Sequence, residues 1–395
     1  MEEDSEDEDD DEDDDYDEDE EDFATGTKFD LIALEKDQDH KPIFTKALLQ
    51  RIASEVSAIN IQQSQPVSQR TQTTLHFQPP AGPPVKIWEA RDNTNSVSVH
   101  YKTRVETSPS FQTRFNKALT KSKDLRSLNP NMSEAEFCHN TAPYFLTSWL
   151  RMPSDRHKDA STLTRWRTRL SHTQTLWAQS SSCSQMQRIV RSGATRLHRP
   201  ITKIVCVGLG ALDSRPAWYQ SALQHMTVFS LAAELDAVNK AKFPAAPAVS
   251  IIASDPCYDQ LDWILLRGLT SARITFGLSD PETLLAIDGN ALVVTAFLPV
   301  GMPLMQIVAD LWAAKREDGP GLIIGDRMEE LSLERKEYCL RNRGSPGVAR
   351  MLTYGYFASR EKIVDMEEDL RRDVKGETGG SYYWLQKMGI WLRKD

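Results

Sequence analysis

From Ile201 onward the chain alternates two patterns. Short apolar runs rich in β-branched residues lie at 203–207, 249–253, 272–276, 291–297 and 321–325. Continuous apolar runs of this length suit strands buried on both faces, as in a parallel sheet. Between the runs, apolar positions recur at helical spacing over 216–236, 258–267, 280–286 and 303–315. Strand and helix in alternation predict an α/β fold, with a Rossmann-like, doubly wound, mostly parallel sheet and flanking helices. Past residue 326 the pattern predicts a helix near 328–340, a turn at Arg343-Gly344-Ser345-Pro346-Gly347, a helix near 360–372 and a last strand near 388–392.

Upstream, Ile43, Phe44, Ala47, Leu48, Ile52 and Val56 sit at helical spacing and predict a short amphipathic helix over 42–60,. Residues 61–84 are rich in Gln, Ser, Thr and Pro and read as a linker,. Val97, Val99 and Tyr101 alternate with polar residues and predict a strand or hairpin arm,. Ser133-Glu134-Ala135-Glu136 has the form of a capping box, which predicts a helix running toward Trp149,. Trp166, Leu170 and Trp177 place another over 163–178. The chain thus divides into an acidic tail over 1–41, expected to be disordered, the helix, the linker, a mostly helical basic region over 85–200 and the Rossmann-like domain over 201–395.

Charge sharpens this division. The chain has 395 residues and a net charge of −10, yet 19 of its 57 acids lie in residues 2–22. That block repels itself and cannot offset the cost of ordering. The other 38 acids face 47 Lys and Arg, so the remainder carries +9. Segment 151–203 alone holds 11 Lys and Arg against Asp155 and Asp159. No apolar run reaches the roughly 18–20 residues that span a bilayer, and the acidic start does not read as a secretory signal. The five cysteines are scattered without a C-x-x-C pair, so neither a zinc site nor a disulfide framework is expected,. Reduced thiols in a cytosolic or nuclear protein are the simplest reading.

The candidate chemistry gathers at strand ends. Ile204-Val205-Cys206-Val207 breaks into Gly208-Leu209-Gly210, a turn that can expose backbone N–H groups to an anion at a helix N-terminus,. Asp213 stands where a dinucleotide fingerprint has its third glycine, and no acid follows at the expected strand end, which counts against NAD,. The glycines either approach a ligand or only turn the chain. Asp255, in Ser254-Asp255-Pro256-Cys257-Tyr258, either accepts hydrogen bonds from a ribose or polyol or caps the following helix,. Pro299 shapes a crevice wall or simply ends its strand. The candidate crevice is Gly208, Leu209, Gly210, Ser214, Asp255, Pro256, Tyr258 and Pro299, with its ligand unknown.

His225 falls on the helix face of Trp218, Ala222 and Phe229, where a core histidine is the more natural reading than a catalytic base. No G-x-S-x-G, H-E-x-x-H or G-x-x-x-x-G-K-[ST] occurs, and no catalytic or metal-binding residue is assigned,. The basic segment with Trp166 and Trp177 either contacts phosphates and stacks bases or forms two helices with solvated arginines and core tryptophans, the second being favoured.

Together, Ile204 to Gly210, Gln224 in the next helix and Asp255-Pro256-Cys257-Tyr258 resemble the sensitivity-to-red-light-reduced (SRR-like) family, most clearly over 200–310. The acidic head and Gln/Pro-rich stretch resemble a filamentous-fungal version. The resemblance implies a Rossmann-like domain in a eukaryotic cytoplasmic and nuclear protein. It also implies a regulatory role, in a family linked to light signalling and circadian timing, haem biosynthesis regulation and microtubule-related phenotypes. It brings no settled activity. The family tends to place His or Cys after the proline that follows its fourth strand, whereas Val300 stands here. The leading expectation is a non-catalytic regulatory protein binding a small nucleotide-like ligand or a protein partner. An S-adenosylmethionine-dependent methyltransferase is the alternative, and a nucleic-acid-associated protein the third.

Overall fold

The structure, a computed structural model, describes residues 28–37, 41–70, 74–78, 84–90, 94, 96–107, 142–149, 156–212, 218–277, 279–299, 301–328, 331–339, 343–361, 363 and 384–394. In chain order the first elements are β1 (Phe29–Asp30), α1 (Leu31–Asp37), α2 (Lys46–Gln63), β2 (Thr74–Phe77), β3 (Val85–Glu89), β4 (Ser96–Tyr101), β5 (Tyr144–Trp149), α3 (Ala160–Gln179) and α4 (Ser181–Arg196). They are followed by β6 (Lys203–Val207), α5 (Trp218–Lys242), β7 (Ser250–Ser254), α6 (Gln260–Arg267), β8 (Arg273–Phe276), α7 (Asp280–Leu285), β9 (Ala291–Thr295) and α8 (Leu304–Ala314). The last are β10 (Leu322–Asp326), β11 (Glu337–Tyr338), α9 (Pro346–Gly355), β12 (Tyr356–Ala358) and β13 (Met388–Arg393).

These elements make a mixed α/β fold around a seven-stranded sheet of order β12-β13-β10-β9-β6-β7-β8. The five strands from β10 to β8 in that order are parallel. β13 runs against β10, and β12 against β13. The period of two sends alternate residues of each strand to opposite faces. Ile204 and Cys206 of β6 join Ile251, Val294 and Ile324 under α3 to α6. Val205 and Val207 join Val293 and Ile323 under α2, α7, α8 and α9. Burial on both faces explains why β6 and β9 read as continuous apolar runs rather than alternating ones.

The N-terminal elements share the second face. Ile52 and Val56 of α2, Trp88 of β3 and Tyr144 of β5 belong to the same apolar cluster as Val205 and Leu311. Asp310 of α8 anchors the chain ahead of α2 by accepting from the Ile43 and Phe44 backbone N–H groups at 2.8 and 2.9 Å. Residues 28–37, assigned to the acidic tail by charge, form β1 and α1, and Leu31 is fully buried. Residues 1–27 lie outside the described residues.

Several local readings are corrected. Thr74–Phe77, within the Gln/Pro-rich stretch, is a strand paired with β3. The region over 85–200, read as mostly helical, holds three strands among the described residues. The helix expected to run toward Trp149 gives way to β5, which pairs with β4 and whose Tyr-Phe-Leu-Thr-Ser-Trp sequence suits a strand,; Ser133 to Glu136 lie outside the described residues. Within 328–340 the described residues are not helical, because Tyr338 pairs with the distant Phe29. The Ser345-Pro346 pair, read as a turn, starts α9: Ser345 Oγ accepts from the Val348 N–H at 3.2 Å, and Pro346 takes the first helical position,. Most of the helix expected at 360–372 lies outside the described residues.

Candidate functional site

The glycine turn follows β6 as expected, but the N–H groups of both glycines are already engaged. Gly208 and Gly210 have φ of 70° and 75°, backbone that side chains rarely adopt,. A Cβ on Gly208 would stand 2.3 Å from Leu298 Cδ2, so this glycine makes room for the chain after β9. Leu209 is 1% exposed and belongs to the core. The Gly210 N–H donates to Asp255 Oδ2 at 2.7 Å, and the Leu212 N–H to Asp262 Oδ1 at 2.8 Å. Two carboxylates of the chain thus occupy the place that an anionic ligand would take. Ser214 lies outside the described residues.

Asp255 therefore braces the turn. Its second oxygen accepts from the Cys257 N–H at 2.8 Å. It does not cap the next helix, which was one of its two readings. α6 begins at Gln260, capped by Asp259, and Asp262 returns the bond to the Asp259 N–H at 2.8 Å. Burial, with Asp259 close by, pushes the Asp262 carboxyl up to about 6 although it accepts two backbone N–H groups,.

Beyond Asp255 a cavity of about 210 Å³ opens between the ends of β7 and β8 and the overlying α2 and β4. Asp255, Pro256 and Tyr258 line it, together with Trp263, Ser279 and Asp280. Asp280 accepts from Ser254 Oγ at 3.2 Å, and burial, reinforced by the Asp255 charge, raises its carboxyl above the usual range. Trp263 Nε1 is buried and has no hydrogen-bond partner among the described residues. The same holds for the Tyr101 hydroxyl of β4, whose phenol is raised by burial first and by the Asp280 charge second. Tyr258 turns its hydroxyl away, to His225 Nε2 at 2.6 Å.

His225 is the core histidine that its helix face suggested. Its Nδ1 lies 2.6 Å from the Ser221 carbonyl, which can only accept, so Nδ1 carries the proton and Nε2 accepts from Tyr258,. Burial lowers its pKa to about 4, so the ring is neutral at pH 7.

Gly208, Leu209, Gly210 and Pro299 fall outside the cavity lining. β9 does lie beside β6, and Pro299 is exposed in a turn that its carbonyl closes by accepting from the Met302 N–H at 2.9 Å. Asp280 escaped the sequence reading, although a signal existed: Ser279-Asp280-Pro281-Glu282 ends the β8 unit as Asp255 ends β7. In the basic segment Trp166 and Trp177 are buried, while Arg165 and Arg167 are exposed. Arg169 stacks over Trp166 and Trp218 at 5.6 and 5.3 Å. The tryptophans are core and offer no free face for a base.

Residues 179–368 match the family model of the SRR1 domain, so this part of the chain is an SRR1 domain. The match takes in β6 to β10, the glycine turn and the cavity wall from Ala253 to Asp280, but not the α2 and β4 residues that complete the cavity. No curated protein and no solved structure matches the chain. Among the described residues no helix is long and apolar enough to cross a membrane.

Proposed function

We propose that the SRR1 domain is a Rossmann-like, doubly wound unit serving a non-catalytic regulatory protein, and that its crevice binds a small nucleoside-like ligand. The strand order supports the fold reading. Counted from β6, the parallel strands run 3-2-1-4-5, with helices over both faces,. One observation carries the ligand class: the Gly210 and Leu212 N–H groups are spent on Asp255 and Asp262, while the cavity presents Asp280 and the unpartnered Trp263 N–H. Such a site favours a neutral group rich in hydroxyl or amino donors over a phosphate. Its volume of about 210 Å³ lies below the roughly 300–1,000 Å³ of common ligand pockets, which suits a nucleoside moiety and not a dinucleotide,. The buried thiols Cys183 and Cys206, which form no disulfide, agree with a cytoplasmic and nuclear protein,.

Methyltransferase chemistry is the second reading, favoured by one feature. β13 is reversed and inserted between β10 and the edge strand β12. By fold-level analogy this is the sheet of S-adenosylmethionine-dependent methyltransferases, in which acids at strand ends also face the adenosine.

A thermal-shift comparison of adenosine, S-adenosylmethionine, S-adenosylhomocysteine, NAD(H), NADP(H), nucleotides and haem tests both. Adenosine, which carries no phosphate, should add about 2.7 kcal/mol at 100 times its Kd, and Asp280→Asn should abolish that gain. A gain confined to S-adenosylmethionine and S-adenosylhomocysteine would favour the enzyme. No gain, or one indifferent to Asp280→Asn, would remove the nucleoside reading and leave a protein partner as the ligand of this face.

A further inference from the structure

The opposite end of the sheet carries a second cavity, larger than the first at about 290 Å³. Its walls come from the chain after α4, the C-terminal ends of α8 and α9, and the end of β13. Leu392 of the reversed β13 pairs with Leu322, which opens β10, so this cavity sits where the parallel strands begin. It shares no lining residue with the Asp280 cavity.

Four cations, Arg199, Arg316, Arg393 and Lys394, face one carboxylate there, Glu317, which leaves a local charge of +3. Helix ends account for part of this set, since cations suit the carbonyl termini of helices. Lys394 Nζ donates to the Thr353 carbonyl at 2.6 Å. Arg393 Nη1 reaches the Gly319 and Gly289 carbonyls at 3.2 and 3.4 Å. Such bonds fix where the cationic heads stand without cancelling their charge. Arg199 lies 3.4 Å from Glu317.

Arg316 is different. Among the described residues it has no acid partner, and its guanidinium lies over the Trp312 ring at 5.4 Å from the centroid. Tyr354, 60% exposed, lines the same cavity and offers a second ring. Neither residue is needed to close a helix end or complete the core.

We propose that this cavity binds an organic phosphate bearing a planar ring, of which a mononucleotide is the simplest case. Arg316 and the anchored Lys394 answer the phosphate, while the exposed Tyr354 answers the ring,. The volume stands near the lower limit of about 300 Å³ for ligand pockets, enough for a monomer and too little for successive bases of a polymer,. The site does not depend on the crevice reading, since it uses other residues at the other end of the sheet.

Calorimetric titration of the full chain with AMP tests it, with adenosine, inorganic phosphate and a single-stranded oligonucleotide as comparisons. AMP should bind once per chain, about tenfold tighter than adenosine or phosphate, and weaken as salt rises. Arg316→Gln and Tyr354→Ser, both at exposed side chains, should each weaken AMP about tenfold at unchanged melting temperature. Asp280→Asn should leave AMP binding intact, which separates this site from the crevice. Absence of AMP binding overturns the proposal, as does AMP affinity unchanged in both cavity variants. Phosphate binding as tight as AMP would mean an adventitious ion only. Tighter binding of the oligonucleotide would assign the surface to nucleic acid instead.

Discussion

The two ends of the sheet carry opposite charge, and the helices explain most of it. Where the parallel strands end, α6 and α7 begin, and acids collect: Asp259 and Asp262 at one start, Asp280 and Glu282 at the other. Where the strands begin, α8 and α9 finish, and cations reach backbone carbonyls: Arg393 and Lys394. Each helix end draws the charge that offsets its dipole and its unpaired backbone groups. A charged cavity at either end is therefore weak evidence for a ligand. The informative groups are those the helix ends do not use. At the acidic end these are the raised carboxyl of Asp280 and the unpartnered Trp263 N–H. At the basic end they are Arg316 and Tyr354.

Two experiments test whether the acidic end is built by the fold or kept for a ligand. Gly208→Val should have the largest effect. It combines a β-branched residue at φ 70° with a Cβ 2.3 Å from Leu298, and we expect a loss of about 3 kcal/mol in urea unfolding,. Wild-type stability would show that the turn can relax and that Gly208 is free to serve a ligand. Asp255→Ala comes next. It removes the acceptor of the Gly210 and Cys257 N–H groups and should cost about 2 kcal/mol without any ligand present,. A variant as stable as the parent would return Asp255 to the ligand-binding set.

The smallest effect is a change of slope with pH. Burial raises Asp262 and Asp310 to about 6, so the folded chain holds their protons more tightly than the unfolded chain. These two groups add stability as pH falls through 6 toward 4. His225 opposes them: its pKa is lowered to about 4, so the stability it contributes is lost as pH falls from 6.5 to 4,. Asp310→Asn removes one of the two gains, and its urea midpoint should drop more steeply than the parent's between pH 6.5 and 4. The difference should be on the order of 1 kcal/mol. Parallel profiles would mean that Asp310 is not held protonated by its surroundings.

Much of the sheet was legible because burial on both faces leaves a one-dimensional trace. The runs at 203–207, 249–253, 272–276, 291–297 and 321–325 became β6 to β10 with shifts of one or two residues, and the last strand near 388–392 became β13. The N-terminal hairpins were hidden because each strand is short and its partner distant, as with β4 and β5. β1 and β11 pair across roughly three quarters of the chain, and two-residue strands leave no period to read,.

The candidate site divides in the same way. By itself the sequence determined the strand-end turn, the acid that follows β7, the core place of His225 and the likeness to the SRR1 family, because each is written in neighbouring residues. Only the tertiary structure decided what those groups do. Asp255 and Asp262 lie 45 and 50 positions from the Gly210 and Leu212 N–H groups they engage, and Asp280 meets Ser254 and the overlying β4 only once the sheet is assembled. A carboxylate's role depends on which donor reaches it first, and that is a matter of distance in space, which spacing along the chain does not encode.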